Sequence, residues 1–296
     1  MSLFTSSSSP AQGSWRVMVR PAIAGLLLLI LYQGLIWLGA IAPSPGINQW
    51  QENIIHAERY LYQRQSAPLV LVGSSLAANL ELADLDPAAV NLGMAGGCSQ
   101  TGLAVVLQRQ PLPATVLIEI NDTLDRQLDQ DFVRQITQPI LRPIRQGFSS
   151  FRGEYTPLSV VVSWLKGSDP PEIVPPDVTT ASPLRQQEIE RLTAENQAAP
   201  EPNFVNLLDQ EVTVIKQQIA QLEKAGVEVI LFNPPIEAEL QNTPRQRVIH
   251  EELRSQFPKS RYRWLPDALS DWLTSDGLHL TPQEVERYTD WLGEQI

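Results

Sequence analysis

The sequence predicts an α/β fold, a mostly parallel sheet covered by helices on both faces, set behind one N-terminal membrane helix. Three observations carry this. Short apolar runs of strand length, rich in β-branched residues, recur at 69–72, 89–92, 115–120 and 227–232, and a run that is apolar throughout suits a strand buried on both faces. Segments of helical period lie between the runs, and alternating strands and helices build parallel sheets. Ahead of them all, 22–42 is an apolar stretch of 21 residues without a charge.

The composition bounds the rest. In 296 residues, 43% hydrophobic residues suffice for a sizeable core. With 22 Lys and Arg against 33 Asp and Glu, the net charge of −11 argues against a nucleic-acid binder, because phosphate contacts need a concentrated surplus of Lys and Arg. One Cys excludes an intramolecular disulfide framework and a Cys-based zinc module. A catalytic histidine must be His56, His250 or His279.

Taken in order, 22–42 as a helix rising about 1.5 Å per residue crosses a hydrocarbon core of about 30 Å. Gln33 is its one strongly polar member. Arg16 and Arg20 precede the run and no Lys or Arg follows before Arg59. That bias puts 1–21 in the cytoplasm and the bulk of the chain in an extracytoplasmic compartment. The alternative is a signal peptide cut after Ala40-Ile41-Ala42. The run is longer than a usual signal core, however, and Pro43 makes a poor first residue. Ser6 to Ser9 mark a low-complexity, disordered start. Pro43, Pro45 and Gly46 end the membrane helix, and 43–66 reads as a juxtamembrane linker holding a short helix over 49–63, with Trp50, Ile54 and Leu61 at helical spacing.

A domain over 67–296 follows. Its helices include 103–107 and a long one whose apolar positions run from Phe204 to Leu222 and which closes with Lys224 and Gly226. Between about 125 and 202 the alternation stops. Residues 142–150 look helical or irregular and 169–183 carries five Pro, so this stretch is an insertion over one end of the sheet, where substrate access is often shaped.

Four segments at strand ends or loops carry chemistry. Gly73-Ser74-Ser75 puts hydroxyls on a strand-to-helix turn, a place for a nucleophile or for a plain helix cap. Asn91 to Cys98 holds three Gly, which let backbone N–H groups turn toward a ligand. Glu119-Ile120-Asn121-Asp122 offers an amide donor for an oxyanion, or an Asx cap. In Asp276-Gly277-Leu278-His279, a carboxylate three residues from an imidazole can hold that ring toward a serine. Thr281-Pro282-Gln283-Glu284 has the form of a capping box with Pro at the first helical position, which starts a last helix just after His279.

In order and context these segments resemble the SGNH (GDSL-like) hydrolase superfamily. The resemblance covers about 67–123 and 227–296. It implies a flavodoxin-like three-layer fold, nucleophile Ser75, oxyanion donors Gly96 and Asn121, and the pair Asp276 and His279, with no cofactor and no metal. Two positions depart from the pattern: Ser74 stands for its usual Asp and Glu119 for its usual Gly. With the N-terminal anchor and the insertion, these departures make the chain similar to extracytoplasmic members that assist O-acylation of envelope polymers, such as alginate O-acetylation and teichoic acid D-alanylation proteins. That implies an esterase or O-acyltransferase acting on acyl esters, acetyl above all, of an envelope polysaccharide or glycoconjugate, beside a membrane-bound O-acyltransferase. Ser74 stays open as the nucleophile. Glu119, a carboxylate beside the oxyanion site, motivates the alternative of a catalytically inactive binding or scaffold protein. A metal-dependent hydrolase using Asp122, His250 or His56 is disfavoured, since His56 falls in the juxtamembrane helix and His250 in a polar segment expected to face solvent. Cys98 is expected to be a buried packing residue.

Overall fold

The computed structural model describes residues 12–63, 65–166, 182–268 and 272–296. Helix α1 (Gln12–Trp37) is followed by α2 (Gln49–Tyr62), strand β1 (Leu69–Gly73), the short α3 (Ser75–Ala78), β2 (Val90–Gly93), α4 (Ser99–Val106) and β3 (Thr115–Glu119). Helices α5 (Gln130–Thr137), α6 (Leu141–Gly147), α7 (Pro157–Lys166) and α8 (Pro183–Glu195) come next. The chain closes with α9 (Pro202–Lys224), β4 (Glu228–Phe232), α10 (Ala238–Gln241), α11 (Pro244–Gln256), β5 (Arg263–Trp264) and α12 (Pro282–Gln295).

The sheet is parallel throughout, in the order β2-β1-β3-β4-β5, the doubly wound order of flavodoxin-like folds. Alternate residues of each strand face opposite layers. Val70, Val72, Val116, Ile118 and Leu231 join Ile54, Ala57 and Tyr60 of α2, Leu103 of α4 and Ile215 and Ile219 of α9. Leu71, Leu117, Ile230 and Phe232 face Tyr288 and Leu292 of α12 on the other side. The four expected strands form within a residue or so, and α9 ends with Lys224 in its last turn and Gly226 at φ 82°. The two-residue edge strand β5 gave no apolar run to read.

Several expectations need correction. The first helix stops at Trp37, ahead of Pro43, because Gly39 takes a left-handed φ of 71°. Its N–H bonds Ile36 O at 3.0 Å and the Ala40 N–H bonds Leu35 O at 2.9 Å, the paired closure that left-handed Gly makes at helix ends. Among the described residues, Val19–Trp37 is the stretch long and apolar enough to cross a membrane. Helix α2 is built into the core, with Asn53, Ile54, Ile55, Ala57, Glu58, Tyr60 and Tyr62 buried. The insertion is helical among the described residues, α5 to α8, as expected, and its proline-rich part over 169–181 falls outside them, as does Ser6 to Ser9. Thr281 precedes α12, but its side chain makes no capping bond; the Val285 N–H bonds Thr281 O at 2.8 Å instead.

Candidate active site

The carboxyl ends of β1, β2 and β3 lie where the strand order reverses, the place where open α/β sheets bind ligands. Ser74 ends the turn after β1 and caps α3, its Oγ accepting from the Leu76 N–H at 3.2 Å. It is fully buried and donates to Glu119 Oε1 at 2.6 Å. Ser75 is half-buried and faces the other way: its Oγ lies 3.0 Å from His279 Nε2. Of the two hydroxyls left open by the sequence, Ser75 stands beside the imidazole and Ser74 beside the buried Glu119 carboxylate.

His279 Nδ1 is 2.7 Å from Asp276 Oδ2. Asp276 Oδ1 accepts from the N–H groups of His279 (2.8 Å) and Leu278 (3.0 Å), so the carboxylate is oriented before it orients the ring. Burial would raise the Asp276 pKa. The hydrogen bonds from the His279 ring and from the two N–H groups, with the histidine charge, outweigh burial and hold it at about 2. The hydrogen bond to Asp276 raises His279 above its usual 6.5 against the opposing effect of burial, and the Asp276 and Glu119 charges add to the rise.

Glu119 is buried beneath this turn with no exposed surface. Its Oε1 accepts from Ser74 Oγ and from Asn121 Nδ2, both at 2.6 Å, and its Oε2 from the Ser74 N–H at 2.9 Å. A side chain at Gly73 would meet Glu119 Oε2 at 2.3 Å, so glycine there makes room for the carboxylate. Burial pushes the Glu119 pKa up, opposed by bonds from Ser74 and Asn121. Asn121 Oδ1 accepts from Thr123 N–H (3.0 Å) and Thr123 Oγ (2.6 Å). This fixes which end of the amide is nitrogen and leaves its second N–H for a ligand. Removing the carboxylate, as in Glu119→Ala, strands three buried donors at roughly 1–3 kcal/mol each. We expect a loss of about 3 kcal/mol or more in urea unfolding, with Glu119→Gln losing clearly less.

Gly96 lies apart from this network. It is exposed, with φ 74°, on the loop whose Met94 N–H bonds Gly73 O at 2.8 Å. Among the described residues no hydrogen bond joins it to Ser75, His279 or Asn121. It lines a cavity of about 190 Å³ with Trp50, Asn53 and Arg126. Arg126 bonds Gly97 O at 3.0 Å and its charge opposes protonation of His279; no motif pointed to this cation. Cys98 is buried and burial pushes its thiol pKa up, which suits a packing residue.

A cavity of about 390 Å³ opens on the other side, walled by Leu76, Asn121, Gln246, His250, Trp264 and Leu278. The expectation that His250 simply faces solvent is corrected here. Helix α11 lies over the strand ends and turns His250 half inward, beside Arg254, whose Nε is 3.3 Å from its Nε2. Burial and the Arg254 charge lower its pKa. His56 is exposed on α2.

The sequence also missed the brace behind the Asp276 loop. Arg185 of α8 is buried; it donates to Thr274 O at 2.6 Å and to Glu237 Oε2 at 2.5 Å. Thr274 Oγ donates to the same carboxylate at 2.6 Å and accepts from the Gly277 N–H at 3.0 Å. The insertion thus supports the loop that carries Asp276 and His279.

No family model matches the chain, and no curated protein does. Among solved structures, a candidate acylhydrolase from Bacteroides fragilis NCTC 9343 is similar at 12% identity, with a TM-score of 0.38, over 81% of this chain and 90% of that one.

Proposed function

We propose that this protein is a serine esterase or O-acyltransferase of the SGNH type, held at a membrane by α1. The observation that carries the reading is the continuous chain from Asp276 through His279 to Ser75. Ser75 Oγ attacks an ester carbonyl while His279 Nε2 takes its proton, and Asp276 steadies the imidazolium. The oxyanion is met by the free Asn121 N–H and the Ser75 N–H, and the Gly96 N–H is the third donor in this reading. Each such donor is worth on the order of 3 kcal/mol in the transition state. Collapse expels the alcohol, which takes its proton from His279, and leaves acyl-Ser75. Water then releases the acid, or a sugar hydroxyl accepts the acyl group.

Glu119, which motivated an inactive scaffold, has both oxygens occupied by Ser74 and Asn121, so its charge is engaged away from the nucleophile. The substrate class we propose is an acyl ester, acetyl above all, on an envelope polysaccharide or glycoconjugate, with a membrane-bound O-acyltransferase as partner. The bias of Arg16 and Arg20 at the N-terminal end of α1 supports a cytoplasmic N-terminus and an extracytoplasmic domain. Incubation with a fluorophosphonate probe followed by peptide mass spectrometry tests the catalytic reading. An adduct on Ser75 that is absent from His279→Ala is the expected result, and a folded protein without any adduct returns the scaffold.

If α8 supports the catalytic loop, Arg185→Met lowers kcat about 10- to 100-fold, the cost of a misplacement near 1 Å. Rates are to be compared per mole of folded protein, and an unchanged kcat would show that the brace is idle.

A further inference from the structure

We propose that residues 140–165 of the insertion are themselves embedded in lipid, so that the domain lies against one leaflet by a second contact beside the spanning helix. The proposal rests on Val19–Trp37 crossing the bilayer. Helix α1 is more than a tether to the domain. Tyr32 Oη donates to Tyr155 O at 2.8 Å, the Ser150 N–H donates to Gln33 Oε1 at 3.0 Å, and Gln33 is 3% exposed. The amide oxygen of Gln33, the one strongly polar residue between Ala22 and Trp37, is thus bonded by the insertion, while its buried Nε2 has no partner among the described residues.

The contact also runs along the span. A cavity of about 420 Å³ is walled by Leu26, Leu29, Ile30 and Trp37 of α1 and by Ile144, Phe148 and Phe151, with Gln33 its one polar lining residue. At 1.5 Å per residue Leu26 lies about 16 Å from Trp37 along the axis, roughly half of a hydrocarbon core of about 30 Å. Whatever depth α1 reaches over that length, the insertion shares. The neighbouring surface is unsuited to water: Ile140 is 81% exposed, Leu158 67%, Trp164 79% and Leu165 71%. Several large apolar side chains left exposed within one stretch of 26 residues mark an interaction surface. Its charge agrees with lipid as the occupant. In a chain of net charge −11, 140–166 carries Arg142, Arg145, Arg152 and Lys166 against Glu154 alone, the sign that anionic headgroups attract. Arg145 is paired with Glu58 at 3.0 Å, Arg142 donates to Gln108 O at 2.8 Å and Arg152 to Arg145 O at 2.8 Å, so the headgroup attraction is one of net charge, and of the three Arg142 is the exposed one.

The test uses the full chain in nanodiscs of phosphatidylcholine and phosphatidylglycerol, with the buried Cys98 replaced by alanine. One nitroxide is attached in turn at Phe148→Cys, Leu158→Cys and Trp164→Cys, with Leu28→Cys as the reference for the span and Glu294→Cys for water. The expected result is that all three insertion sites collide with oxygen several-fold more, relative to a nickel chelate, than the Glu294 site does, as the Leu28 site also will. Insertion sites that behave like Glu294 while Leu28 stays in lipid overturn the embedding and spare the anchor. A water-exposed Leu28 site would overturn the anchor itself. Shielding of the insertion sites from both reagents would mean that protein covers the patch, and would overturn lipid as its occupant.

Discussion

Ser75→Ala lowers ester turnover by about four orders of magnitude or more, as loss of a triad nucleophile does elsewhere, and leaves the fold intact. Its Oγ contacts His279 Nε2 and carries none of the hydrogen bonds of the turn. Ser74→Ala has the opposite profile. It removes a helix cap, worth about 1 kcal/mol, and one donor to the buried Glu119, while the nucleophile stays in place. Its melting temperature falls and the burst of acyl-enzyme from p-nitrophenyl acetate persists. An exchange of these two behaviours would make Ser74 the nucleophile.

Asp276→Asn lowers turnover by about 10³- to 10⁴-fold, because the amide does not hold the ring in the tautomer that the base step needs. It also moves the pH profile, and the sign follows from the causes. A general base works deprotonated, so turnover in the native protein rises with pH through the His279 pKa, which stands above 6.5 mainly through its bond to Asp276. The asparagine variant loses that cause, while burial, which lowers the pKa, remains. The acidic limb therefore shifts to lower pH as the rate falls. A limb that keeps its midpoint in the variant would assign the titration to another group.

Much of this was legible in sequence because local patterns carried it. The strand runs and the spacing of α9 are properties of neighbouring residues, and the turn after β1, the segment after β3 and the Asp276 loop each sit beside such an element. What depended on distant partners was hidden. Arg185 on a polar helix reads as a solvated charge, and its partners, the buried Thr274 and the partly buried Glu237, lie far along the chain. The spacing of Trp50, Ile54 and Leu61 announced α2 but not the core that it enters. Gly39 ended α1 early because its left-handed backbone outweighed the apolar composition around it. His250 was misjudged because a polar helix was assumed to face water on every side. Ser74 and Glu119, read one at a time, were two departures from a pattern. In space they are one hydrogen-bonded unit, with a carboxylate moved from the turn to the neighbouring strand.

That unit has a mechanical meaning. Since a single carboxylate grips both the backbone of the nucleophile turn and the amide of Asn121, thermal drift in one is transmitted to the other. Attacking atom and charge acceptor keep their separation when the surrounding loops breathe, so little of the barrier is spent on reassembling them at each encounter. The carboxyl end of the sheet therefore holds a small rigid die, set between the glycine loop on one side and the α11 wall on the other.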